Sequence, residues 1–272
     1  MKFNSTTALA ASTFAVLGLL PAMATAETKL KWAHVYETSE PYHTCAVAAN
    51  DLLMSATDGR YGIEVFPASS LGKEVDINEG LGFGTVDIIY TGQLFAGRSY
   101  GPIAIGGAPF MFRDYDHWNK YRNSDLFSEL SQGYTDATAN HITAMTYYGA
   151  RHVTSNKPVL KPEDMKGMKI RVPNAPLYMM FPQAVGANPA PIAFAEVYLA
   201  LQQGQTNINL TGHITDALLT IVGGPAWDAM DEADRKALTD VTQQTSVCAT
   251  DAIIKAENEL ADWFRGQGVQ VN

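Results

Sequence analysis

Between Leu30 and Phe66 the chain reads as strand, helix, strand, and that rhythm commits it to an α/β fold. Leu30 to Val35 is apolar and strand-like. Tyr42 to Ser55 places apolar residues at helical spacing, and Tyr61 to Phe66 is a second strand stopped by Pro67. The pattern then repeats. Val75 to Phe83 predicts a helix, Val86 to Tyr90 a strand opening into Thr91-Gly92, and Tyr115 to Ala139 one or two amphipathic helices after a Gly- and Pro-rich crossing from Arg98 to Pro109. Ile142 to Tyr148 and His152 to Ser155 read as strands interrupted by Gly149, a natural place for the chain to pass between lobes. Further on, a strand over Met168 to Val172 is followed by helices over Ala175 to Val185 and Ala195 to Gln203. An apolar strand over Ala217 to Val222, a short helix over Pro225 to Met230 and a long helical tract over Asp231 to Phe264 complete the series.

The first 26 residues carry Lys2, an apolar stretch from Ala8 to Leu20 and the small-residue sequence Ala24-Thr25-Ala26, which together read as a secretory signal peptide. That apolar stretch is about half the length needed to span a bilayer, so the mature chain is expected as a soluble exported protein, with a periplasm as its address. Export permits a disulfide, but Cys45 and Cys248 are far apart in sequence and are expected as two lone buried thiols. A net charge of -9 without a basic cluster argues against nucleic acid and anionic membranes, though not against an anionic small ligand held by a buried arginine.

Arg171 stands near the end of the strand Met168 to Val172, with Pro173 ending the ladder and Asn174 placed to cap the helix after it. A guanidinium presented in this way offers two parallel N–H donors to a carboxylate, although on the pattern alone a strand-end arginine in a surface salt bridge is the commoner case. The sequence has no H-E-x-x-H and no GK[ST] loop. Gly80 to Gly84 comes at a helix end before a strand, the reverse of a dinucleotide loop, and reads as a helix-ending glycine turn. The six histidines form no close ligand pair, so neither a metal nor a cofactor is expected.

Three segments resemble the DctP-type solute-binding proteins of TRAP (tripartite ATP-independent periplasmic) transporters, nearest the sialic-acid and uronate binders. They are "FPASSLG" from Phe66, "TSNKPVLKPEDMKGMKIRVPNAP" from Thr154 and "AFAEVYLALQQG" from Ala193. The resemblance implies two α/β lobes with mixed sheets, joined by hinge crossings, with the ligand in the cleft between them. Residues 27–148 would form lobe I, with about 217–272 packing back on it or across the hinge, and 149–216 lobe II. It also implies that Arg171 grips the ligand carboxylate and that Arg151, in a "GxRxxTSN"-like stretch, makes a second contact, unless it is a structural arginine of the hinge. Glu74, after the "P-x-S-x-L-G"-like turn, would face ligand hydroxyls or else serve its helix N-terminus. Asn174 could donate its side-chain amide to the ligand or cap the helix. Tyr90, Thr91, Tyr148 and Phe194 stand at strand ends and loops where open α/β sheets bind ligands, with burial in the core as the alternative for each, and His34, at the end of the first strand, could donate to a ligand oxygen or be a satisfied loop histidine.

The function implied is capture of a carboxylate-bearing small molecule, such as a uronate, and its delivery to TRAP membrane subunits without chemistry. An exported lyase-like enzyme, or a receptor for a keto acid or C4-dicarboxylate, is the alternative. After Gly204 the chain departs from the family pattern: a "VDGQENP"-like motif and about two dozen residues are absent, with the asparagine that often supplies a third ligand contact. That loss predicts uncovered apolar surface and reduced stability.

Overall fold

The computed structural model describes residues 27–155, 157–202 and 211–266. In chain order the elements are β1 (Thr28–Ala33), α1 (Pro41–Ala56), β2 (Tyr61–Phe66), α2 (Glu74–Phe83), β3 (Ile88–Gly92), α3 (Gln93–Ala96), α4 (Tyr115–Arg122) and α5 (Asp125–Thr138). There follow β4 (His141–Arg151), β5 (Lys169–Val172), α6 (Met180–Ala184), β6 (Asn188–Pro191), α7 (Val197–Gln202), β7 (Ile214–Val222), α8 (Gly224–Asp228) and α9 (Glu232–Gly266).

Two sheets result. The larger has the order β2-β1-β3-β7-β4, with β1 parallel to both β2 and β3 and with β7 antiparallel to both β3 and β4. Strand β3 is buried along its whole length, as its unbroken Ile88-Ile89-Tyr90 run requires of a central strand covered on both faces. The smaller sheet pairs β5 with β6 in parallel. Strand β6 contains Pro189 and Pro191, which argue against a strand in the sequence. Its ladder is nevertheless made, since flanking Asn188 and Ile192 donate their N–H groups to Met168 and Val172, while the prolines occupy the alternate positions.

Strands β4 and β7 extend past the main sheet and stay paired to its end, where Ala150 faces Thr215 and Arg151 faces Ile214. The expected break at Gly149 is therefore not a strand end. Gly149 adopts φ +99° at a register shift, a conformation that favours glycine, and β4 bends there and continues to Arg151, whereas His152 to Ser155 is not a strand. Glu257 of α9 fixes the bend by accepting hydrogen bonds from the Ala150 N–H at 2.8 Å and the Tyr147 hydroxyl at 2.9 Å.

The helix expected over Ala175 to Val185 is divided into a 3-10 turn, Pro176–Met179, and α6. Pro182 has no N–H with which to continue a helical ladder from Tyr178. Ala175, not Asn174, occupies the N-cap of this turn, and no side chain caps it.

Helix α1 buries Tyr42, Cys45, Ala46, Ala49 and Leu53, one helical stripe, in the main core. Helix α9, 35 residues and so about 50 Å long, buries Leu238, Val241, Thr242, Thr245 and Ala249 at the same kind of spacing. These two helices pack together, and Cys45 and Cys248 form a disulfide with their Cα atoms 6.1 Å apart. The expectation of two lone thiols is thereby overturned. Sequence spacing carries no information about two helices brought side by side only in the finished fold.

The bridge closes a loop spanning 203 residues of sequence separation. A loop of that size is worth about 5 kcal/mol in the chain-entropy treatment, of which about 2–4 kcal/mol is commonly realised. The double substitution Cys45→Ser with Cys248→Ser is expected to lower unfolding stability by that smaller amount in a denaturant titration. Two reactive thiols in unreduced, denatured protein would show the bridge to be absent.

Candidate functional site

A cavity lies at the ends of β1, β4 and β5 and at the start of α2. It is lined by Tyr36, Glu74, Phe95, Tyr148, Arg151, Arg171, Asn174 and Phe194, with Lys73 at its edge. The carboxyl ends of strands in open α/β sheets leave such crevices because the chain must turn away from the sheet there. Six of the nine residues read from sequence, Glu74, Tyr148, Arg151, Arg171, Asn174 and Phe194, are brought together in it.

Arg151 projects from the end of β4 and donates through Nε to Asp216 on the paired strand β7. Its guanidinium also lies 5.4 Å from the ring centroid of Tyr148 and 5.0 Å from that of Tyr178. Burial opposes its charge, but Asp216 more than compensates, and Arg151 is held above the ordinary arginine range. Arg171 differs. Its Nε donates to the Ile192 carbonyl at 2.9 Å, and among the described residues no carboxylate pairs with it. Burial, and then the neighbouring Arg151, depress its pKa to about 10, which leaves it protonated at neutral pH.

Glu74 stands at the first turn of α2 and accepts hydrogen bonds from the Thr91 hydroxyl at 2.9 Å and the Gly92 N–H at 2.8 Å. Burial pushes its carboxyl up to about 7, against the lowering effect of those two donors. Gly92 has a steric role, since a Cβ there would lie 2.7 Å from the Tyr178 hydroxyl. On the outer side Phe194 meets Tyr36 with ring centroids 6.0 Å apart, and Lys73 pairs with Glu196 at 2.5 Å.

Thr91, Tyr90 and His34 are not among the cavity residues. Thr91 acts through Glu74. Tyr90 is fully buried between Trp32 and Tyr42, and His34 is buried with its Nδ1 accepting from the Tyr36 N–H. Burial and the adjacent His43 lower the His34 pKa to about 4, so that its imidazole is neutral. Sequence reading missed Tyr36, Phe95, Tyr178 and Asp216. A signal existed for Asp216, the one charge in the apolar run Ile214 to Val222.

A second cavity lies on the other side of the two arginines, bounded by His152, Tyr178, Phe181, Val197 and His213. Burial, with Arg151 and His152 nearby, lowers the His213 pKa to about 4. Position 204, after which the sequence departs from the family pattern, lies outside the described residues, as does the strand expected to begin at Asn207.

A family model described as "Bacterial extracellular solute-binding protein, family 7" (DctP) matches residues 32–206. Solute-binding protein RD1_1052 of Roseobacter denitrificans is 30% identical over 233 residues, 78% of this chain and 71% of that protein. The sialic acid-binding periplasmic protein SiaP of Vibrio cholerae is 28% identical, covering 95% of this chain and 87% of its own. Among solved structures, the Roseobacter denitrificans protein with bound L-galactonate superposes with a TM-score of 0.84 at 27% identity, covering 89% of this chain and 87% of that one. A TRAP periplasmic solute-binding protein from Polaromonas sp. JS666 bound to D-erythronate superposes with a TM-score of 0.84 at 28% identity, covering 90% and 87%.

The elevated Glu74 pKa has a consequence for stability. The folded carboxyl, at about 7, holds its proton more tightly than the ordinary carboxyl at 4.5, so its contribution to stability falls as pH rises from about 4.5 to about 7 and levels off above that. Glu74→Gln keeps an oxygen to accept from Thr91 and Gly92 but does not titrate. The melting temperature of this variant relative to the parent is expected to rise between pH 5 and pH 8. A constant difference across that range would place the Glu74 pKa near its ordinary value.

Proposed function

We propose a ligand class and a mode of capture from one premise: the chain belongs to the DctP family of bacterial extracellular solute-binding proteins. It is a receptor for a hydroxylated organic acid, an acidic sugar such as a uronate, held in the periplasm and delivered unchanged to TRAP membrane subunits. The observation that carries this reading is Arg171, a largely buried, protonated guanidinium engaged among the described residues through Nε alone, by a backbone carbonyl, beside an arginine that already has its carboxylate. Its remaining N–H donors match the two oxygens of a ligand carboxylate. Glu74 supplies an acceptor for hydroxyl groups, while Tyr36, Tyr148 and Phe194 supply flat faces for a carbon skeleton.

The ligands of similar proteins agree with this chemistry: L-galactonate and D-erythronate are both hydroxylated acids, and a further relative is a 2,3-diketo-L-gulonate-binding protein of Escherichia coli. Residues 27–148, with the C-terminal region from 217, form the larger lobe in this reading, and 149–216 the smaller. Capture would close the two about the bend in β4, since a ligand touching both lobes favours the closed arrangement by its differential affinity.

Arg171→Lys keeps the charge and loses the bidentate fork, and is expected to weaken binding of D-glucuronate or L-galactonate by about 1.5–3 kcal/mol, roughly ten- to a hundredfold. Calorimetric titration gives the affinity, and recovery of the acid unaltered separates a receptor from a lyase. A lysine variant binding every acid as tightly as the parent would remove Arg171 from the anchor role.

A further inference from the structure

The two arginines of the cleft are not equivalent, and the difference comes from a residue of the smaller lobe that touches no cavity. Asp216 lies within β7, about 1% exposed, and its carboxylate receives Arg151 Nε while also accepting from the Ala217 N–H at 2.8 Å. Arg151 is gripped by Tyr148 and Tyr178 as well, so its guanidinium is fixed in place and already paired before any acid arrives. The other charged groups at the cavity edge also balance, Lys73 pairing with Glu196. Arg171 remains as the single positive charge in the cavity lining without a carboxylate partner among the described residues. Glu74 adds none, being neutral or negative.

We propose that Asp216 sets the charge selectivity of the cleft: by neutralising Arg151 in advance, it leaves room for one ligand carboxylate and excludes acids that carry a second. This rests on the reading of the cleft as a carboxylate receptor. Without Asp216, two neighbouring cations would face the ligand and a dicarboxylate would be the better match. An uncompensated unit charge about 5 Å from a second carboxylate, at an effective dielectric constant of about 20, corresponds to on the order of a hundredfold in binding. Asp216 is thus a positioning and charge-setting residue that acts on the ligand through Arg151.

The test uses L-galactonate and galactarate, open-chain acids that differ by oxidation of the terminal carbinol to a second carboxylate. By calorimetric titration of the full chain at pH 7.5, the parent is expected to bind L-galactonate at least tenfold more tightly than galactarate. Asp216→Asn should reduce that preference by tenfold or more, with galactarate gaining affinity. Because this substitution leaves a buried cation unpaired, Arg151→Gln and the Arg151→Gln, Asp216→Asn pair complete a cycle. The single Arg151→Gln variant, with an unpaired aspartate, should lose at least tenfold more affinity for L-galactonate than the pair, and the pair should recover the parent's preference for the monocarboxylate. An unchanged ratio in Asp216→Asn, equal losses in the single and paired arginine variants, or a parent that favours galactarate would overturn the assignment. If the parent bound neither these acids nor D-glucuronate, the receptor reading itself would fall with it. Binding with unaltered selectivity sinks only the role of Asp216.

Discussion

The antiparallel pairing of β4 with β7 is the constraint on which the site depends. It forms one side of the main sheet and then continues beyond it, so the backbone hydrogen bonds that stabilise the core also fix the positions of Arg151 and Asp216. A pair of opposite charges buried at a strand end is costly unless the geometry is prepared, and here the ladder prepares it. Glu257, reaching from α9 to the bend at Gly149, holds the same strand from the other face.

Around that ladder, the cavity combines contributions separated by more than a hundred residues. Tyr36 and Glu74 come from the first βαβ turn and the helix after it, and Arg171 and Phe194 from the small sheet and its exit. Each lies at or near the end of a secondary-structure element, Arg171 next to last in β5 and Glu74 at the first position of α2, where a side chain can face open space. A carboxylate there would meet a cation whose stem is packed in protein, so little side-chain entropy is left to lose on binding.

Much of this was legible in the sequence because local chemistry and position coincide. Pro173 after Val172 marks the end of β5, and the arginine just before that end comes to lie at the cavity. Residues whose roles are set by long-range packing were not legible. Cys45 and Cys248 meet because two helices lie side by side, and Tyr178 reaches Arg151 from a 3-10 turn where a continuous helix is expected. Tyr90 and His34 show the converse. Their strand-end positions suggested a ligand, but both are buried in the aromatic core beneath the cavity, and position along a strand does not say which face a side chain takes.

The prolines of β6 have an effect beyond their own pairing. A two-stranded sheet leaves outer edges that can recruit a strand from another molecule, since the unpaired N–H and C=O groups form a ready template. On β6 the alternate positions, those not engaged with β5, are Pro189 and Pro191, which have no N–H to offer. That edge can accept hydrogen bonds but cannot donate them, so a second chain has no complete ladder to build there. On its β6 side, the small sheet thus offers no complete ladder to a strand from another molecule.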